Sequence, residues 1–204
     1  MTGAGRVRIG TSGWSYRHWV GPFYPAGTSS ADMLDQYVEV FDTTELNNTF
    51  YNLPSRDSFI QWRDSVPEGF IFAVKANRYI THMKKLKDPA QSTPSFFDAV
   101  ASLGDRLGPV LFQLPPNMGL NLGRLRSFLE ALPEPPDASF VLAQHIGAGF
   151  VDLLAAQLAR STVLEAVTLR SGMRLRPGTV AVMPVDHTLH LDEQGCARLE
   201  STAA

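Results

Sequence analysis

Short β-favouring runs alternate with amphipathic stretches along most of the chain. Val7 to Gly10 reads as a strand that turns into Thr11-Ser12-Gly13-Trp14-Ser15-Tyr16, a polar corner continued by Phe23-Tyr24-Pro25. Met33, Leu34, Tyr37, Val38 and Phe41 recur at helical spacing, with Ser29 or Ser30 as the cap. Thr43 to Pro54, TTELNNTFYNLP, predicts a second strand that ends in an aromatic turn. Ser55 caps a helix bearing Phe59, Ile60 and Trp62, which Pro67-Glu68-Gly69 breaks. FIFAVK, Phe70 to Lys75, is the third strand. A helix from Pro94 carries Phe96, Phe97, Val100 and Leu103, and VLFQL, Val110 to Leu114, is strand four. Leu122, Leu125, Phe128, Leu129 and Leu132 mark the next helix. Phe140 to Gln144 is strand five, and Phe150 to Arg160 the helix after it. Beyond that, Val167 to Leu169, Thr179 to Met183 and Thr188 to Leu191 are short strands separated by glycine and proline turns, with no full helix between them.

Five strand-helix units predict an α/β fold with a parallel sheet and right-handed crossovers. In such folds ligands meet the carboxyl ends of the strands. In extended chain Glu45, Asn47 and Thr49 share one face, and Leu46, Asn48 and Phe50 the other. A carboxylate and an amide on a buried strand need partners, supplied by an internal network or by a ligand. Glu45 is a general acid/base or ligand contact, or a buried carboxylate satisfied by Lys75 or a neighbouring backbone group. Lys75, closing an apolar strand, binds a phosphate or carboxylate, or pairs with Glu45. Asn47 and Asn48 bind a polar ligand or shape a turn. Trp14, Tyr16, Phe50 and Tyr51 stack on a planar or sugar-like ligand, or plug the loops. His82 is a proton carrier or a surface histidine beside Lys84, Lys85 and Lys87. Gln113 points into the barrel mouth or satisfies local backbone.

Composition narrows the partners. The 204 residues are 44% hydrophobic and 19% charged, enough for a sizeable core. A net charge of -2 gives no global pull towards nucleic acid. The one cysteine, Cys196, excludes an internal disulfide and fits a reducing, cytoplasmic setting. MTGAGRVRIG lacks a signal-peptide core, and no run approaches the roughly 20 apolar residues of a membrane helix, so no membrane partner is expected. Five histidines form neither HExxH nor HxxxH, so neither a metal nor another cofactor is expected. A sheet with open edges makes oligomerisation an expectation.

IGTSGWSYRHWVGPFYP (Ile9 to Pro25), TELNNTFYNLP (Thr44 to Pro54), FIFAVKANRYITHMKKL (Phe70 to Leu86) and LGPVLFQLPPN (Leu107 to Asn117) together resemble the YecE-like family over about residues 6–135. The resemblance implies a TIM-barrel-type fold and a site at the strand ends, with no reaction attached. FVLAQHIGAGFVDLLAAQLAR (Phe140 to Arg160) and LRPGTVAVMPVDHTLHLDEQG (Leu175 to Gly195) resemble part of a CheB-type protein-glutamate methylesterase domain. That likeness implies His145, of the Gln-His pair, as catalytic base and a methylated receptor protein of chemotaxis as substrate. Such an esterase needs a serine whose proton an imidazole takes and a carboxylate that orients the imidazole. Ser12, in IGTSG, is the early serine in a similar setting, while Asp186 and Asp192 do not fall where that family places its acid.

The chain therefore reads as a YecE-like, TIM-barrel-like partial or irregularly closed barrel over 1–136, with a methylesterase-like segment over 137–204 continuing the same α/β domain. The leading expectation is binding of a small polar or anionic ligand, with Glu45 and Lys75 central. The alternatives are an ester hydrolase using His145 and a non-enzymatic module that meets nucleic acid through its lysine loop.

Overall fold

The computed structural model describes residues 8–132, 139–143, 147–162, 164–192 and 194–202. The described residues form two compact units, one over 8–119 and the other from 120 onward. In chain order the first contains β1 (Thr11–Ser12), α1 (Met33–Val38), β2 (Thr43–Leu46), α2 (Arg56–Asp64), β3 (Ile71–Lys75), α3 (Pro89–Ser92), α4 (Pro94–Val100) and β4 (Leu107–Leu111). The second contains α5 (Leu122–Glu130), β5 (Phe140–Leu142), α6 (Val151–Ser161), β6 (Glu165–Thr168), β7 (Thr179–Val182), β8 (His187–Leu191) and β9 (Ala197–Ser201).

In the first unit the four strands pair in parallel in the order β1-β2-β3-β4. Alternation along β2 and β3 is regular. Thr44, Leu46, Phe72 and Val74 are buried, whereas Thr43, Glu45, Ile71, Ala73 and Lys75 are half-buried. Phe59 of α2, Phe96 and Val100 of α4 and Leu103 are buried as well. Ser55 caps α2 as expected, its Oγ accepting from Ser58 N at 3.2 Å. Ser29 acts one turn ahead of α1, donating to Asp32 Oδ2 at 2.6 Å and accepting from Asp32 N at 3.4 Å.

β1 and β4 depart from expectation. Pairing on β1 falls at Thr11 and Ser12, beyond the expected 7–10 run. At Gly10 the backbone lies so close to β2 that a Cβ there would sit 2.0 Å from Thr43 O. The buried Tyr37 hydroxyl then ties the two strands: it accepts from Thr11 N at 2.9 Å and donates to Thr43 O at 3.0 Å. β4 starts at Leu107 and ends at Leu111, so Gly108-Pro109 lies inside the strand that it was expected to precede. Gly108 allows close approach, since a Cβ there would sit 2.3 Å from Ile71 Cγ2. Pro109 is tolerated because β4 is an edge strand of this sheet, where a missing N–H costs no ladder bond.

In the second unit β5 is not the fifth strand of the first sheet. It pairs with β7, giving a separate parallel sheet in the order β5-β7-β6. All four residues of β7 are buried, as expected for a central parallel strand covered on both faces. Val151, Leu154, Ala155 and Leu158 form the buried stripe of α6 at helical spacing. Leu169, Ala181, Met183 and Ala197 form a cluster against which Val167, Leu189 and Leu199 pack. β8 and β9 make an antiparallel hairpin, and β9 is a strand beyond those expected. Among the described residues there is no closed barrel, and no helix is long and apolar enough to cross a membrane.

Tyr24 gives this fold an alkaline limit. Its buried hydroxyl donates to Trp14 O at 2.6 Å. Burial, with the Tyr37 phenol nearby, pushes the Tyr24 phenol from its ordinary value of 10.0 up to about 12. The fold stabilises the neutral form, so this contribution is complete below the unfolded value and is lost as pH rises through about 12. Denaturant midpoints should fall between pH 10 and 12, and Tyr24→Phe, less stable at neutral pH, should show a shallower fall.

Candidate functional site

The site is built on the turns that follow β2 and β3. The strand geometry of TTELNNTFYNLP stops at Leu46. Asn47 turns into the right-handed helical region at φ -84° and ψ -24°, and Asn48–Phe50 forms a single 3₁₀ turn. The expected alternation over residues 45–50 therefore fails after Leu46. Thr49 is buried, not on the half-buried Glu45 face, and Asn48 is exposed. Thr49 Oγ1 lies 2.5 Å from Leu46 O and 2.6 Å from Lys75 O, a shared donor that pins the turn to the end of β3. Asn77 ties it again, donating through Nδ2 to Thr49 O at 2.9 Å and accepting from Tyr79 N at 2.8 Å. A π-helical turn, Tyr79–Met83, follows. Three non-glycine residues then take left-handed conformations: Lys85 at φ 49°, Leu86 at 63° and Asp88 at 48°. Such conformations cost about 1–3 kcal/mol each and recur where function demands a shape.

These turns gather Lys75, His82 and Tyr51 around Phe50. Phe50 is the hub. Lys75 Nζ lies 5.0 Å from its ring centre, and the His82 and Tyr51 rings lie edge-to-face with it, each at 5.0 Å. Arg78, not anticipated as a site residue, places its guanidinium 5.8 Å from the Tyr51 ring centre. Thr81 Oγ1 contacts His82 Nδ1 at 2.9 Å, which leaves Nε2 for another partner. Among the described residues no ion pair joins Lys75, Arg78 or His82 to a carboxylate; the nearby pair is Lys84–Asp88 at 2.9 Å. At the end of β2, Asn47 Oδ1 is buried and accepts no hydrogen bond from the described residues.

Glu45 stands apart from this group. It is opposite Ser12 on β1 and Ala73 on β3, one pleat short of Lys75. Its Oε1 accepts from Ser12 Oγ at 2.9 Å, and the expected Glu45–Lys75 ion pair is absent among the described residues. Ser12, the candidate nucleophile, thus donates to a carboxylate. Trp14 packs into the fold, with its ring 5.6 Å from Trp62 and 6.3 Å from Phe72. Tyr16 donates its hydroxyl to Ser12 O and packs 4.8 Å from Trp19. Gln113 lies two residues beyond β4, exposed. Gln144 and His145 lie outside the described residues. No group of three or more His, Cys, Asp or Glu is placed to hold a metal ion among the described residues.

Fold and site together define an α/β protein of parallel strands whose carboxyl-terminal turns carry a basic, aromatic cluster. The chain belongs to the family described as "Protein of unknown function DUF72", whose sequence profile matches residues 8–182. It is similar to the YecE protein of Escherichia coli strain K12, 30% identical over 128 residues, 62% of this chain and 44% of that protein. It is also similar to protein-glutamate methylesterase/protein-glutamine glutaminase 1 of Carboxydothermus hydrogenoformans, 39% identical over 71 residues, 35% of this chain and 21% of that protein. The chain spans less than half the length of these curated relatives. Among solved structures, a DUF72 family protein of Thermotoga maritima shares the fold, with a TM-score of 0.51, 20% identity and coverage of 86% of this chain and 90% of that one.

Proposed function

We propose that this chain binds a small anionic ligand at the carboxyl ends of β2 and β3. The observation that supports this reading is the grouping of Lys75, Arg78 and His82 around the Phe50–Tyr51 pair with no carboxylate ion-paired to any of the three among the described residues. The Lys75 and Arg78 cations, with no counter-charge ion-paired to either among the described residues, favour an anion, and charge-assisted hydrogen bonds to it are about twice as strong as neutral ones. The Thr49 and Asn77 hydrogen bonds fix both turns beforehand, so little ordering accompanies binding. Asn47 Oδ1 offers an acceptor at the same strand end for a ligand hydroxyl or amine. Isothermal calorimetry with inorganic phosphate, ribose 5-phosphate and citrate is the test. Lys75→Ala should weaken binding of the anions that bind by about tenfold or more. Equal affinity in the parent and Lys75→Ala proteins would sink the reading.

A second reading, carboxyl-ester hydrolysis, draws on the likeness to the Carboxydothermus methylesterase. It assigns His145 as base and requires a serine and an acid to act with it. Failure of the intact chain to hydrolyse a glutamate methyl ester, or equal rates in His145→Ala, would remove it.

A further inference from the structure

The geometry points to a ligand that carries a planar base beside its phosphate: a nucleoside phosphate, free or within a single-stranded nucleic acid. This deepens the anion reading above and rests on it. Lys75 and Arg78 supply positive charge for a phosphate, with His82 against the same Phe50 ring as Lys75, but the same turns also display aromatic surface that an anion alone does not require. Tyr51 is held in place by Phe50 at 5.0 Å and by the Arg78 guanidinium at 5.8 Å, yet it remains 58% exposed. Tyr79 is 44% exposed with Lys84 Nζ 5.9 Å from its ring centre, and Met83 beside it is 69% exposed. Two exposed rings, each with a cation near it, thus stand on the same adjoining turns as Lys75 and His82.

A fixed, exposed aromatic ring is a surface on which any base can stack, and a neighbouring cation adds to the attraction. Interleaved basic and aromatic residues suit a backbone phosphate with its base laid on the ring. The chain's net charge of -2 makes this a local attraction rather than a general one. Thr49 and Asn77 hold Phe50–Tyr51 and Lys75–Tyr79 at a set spacing, so the phosphate and base subsites are presented together.

The test compares AMP with ribose 5-phosphate and adenosine by calorimetry on the full chain, with a (dT)10 oligonucleotide as a further arm. Base stacking should make AMP bind about tenfold or more tightly than ribose 5-phosphate. Tyr51→Ala should abolish the preference, so that AMP and ribose 5-phosphate bind that variant equally, whereas Tyr51→Phe should retain the preference. Tighter binding of the oligonucleotide than of AMP, weakening with salt, assigns the source to a single strand; tighter binding of AMP assigns it to a free nucleotide. Equal affinity for AMP and ribose 5-phosphate, both lost in Lys75→Ala, overturns the base subsite and leaves the anion reading standing. No binding of any phosphate overturns both.

Discussion

Replacing Phe72 with alanine is expected to cost the 8–119 unit about 3–5 kcal/mol, the usual range for emptying a large core position. Phe72 is fully buried on β3, the strand bonded on both sides by β2 and β4. Its ring contacts Phe70 at 5.0 Å and Trp14 at 6.3 Å, and Trp14 in turn meets Trp62 of α2 at 5.6 Å. The deleted ring therefore opens a void between a strand and a helix that hydrogen bonds hold in place, so collapse around it is incomplete. All three tryptophans, Trp14, Trp19 and Trp62, belong to this unit, so intrinsic fluorescence in a urea titration follows it selectively. A loss under 1 kcal/mol would show that this core repacks freely. Phe72→Leu, which keeps most of the volume, should retain more than half of the lost stability.

Gly10→Ala is expected to cost about 2–3 kcal/mol, near the upper end for an overpacked position. The new methyl group would sit 2.0 Å from Thr43 O and 2.7 Å from Thr43 C. Both are backbone atoms, so no side-chain rotation relieves the clash; β1 must move away from β2. That movement strains the Tyr37 bridge between Thr11 and Thr43 and separates Ser12 from Glu45. The stability loss is measured by the same titration, and amide hydrogen exchange should show faster exchange at Thr11 in particular. Unchanged exchange at Thr11 would mean that the strands meet less closely than the structure shows.

Residues whose environment repeats along an element were legible in the chain. FIFAVK alternates with a period of two and contains β3; Phe150 to Arg160 repeats at helical spacing and covers α6 but for Ser161; Ser55 sits where an N-cap belongs. What escaped depends on contacts between distant segments. Gly108-Pro109 reads as a strand breaker until β3 is seen beside it, close enough to need the glycine and on the side where the proline costs nothing. The turn at Asn47 carries no glycine or proline, so the strand pattern seemed to run on; the bonds from the buried Thr49 hydroxyl to the ends of β2 and β3 redirect it. For the site, Lys75, His82 and Tyr51 were visible as unusual residues at strand ends. Arg78 and the hub role of Phe50 were not, because they follow from a turn and a cation over a ring rather than from spacing.

The strand order β5-β7-β6 bears on the sequence of events during synthesis. The 8–119 sheet has its strands side by side in the order in which they leave the ribosome, so each new strand finds its partner already present. β5 and β6 are both made before β7, and each bonds only to β7 within their sheet. Until residues 179–182 emerge, that sheet has two strands and no ladder. Within this sheet no ladder bond can form before β7 is made, whereas the pairs of the first sheet become available one strand at a time.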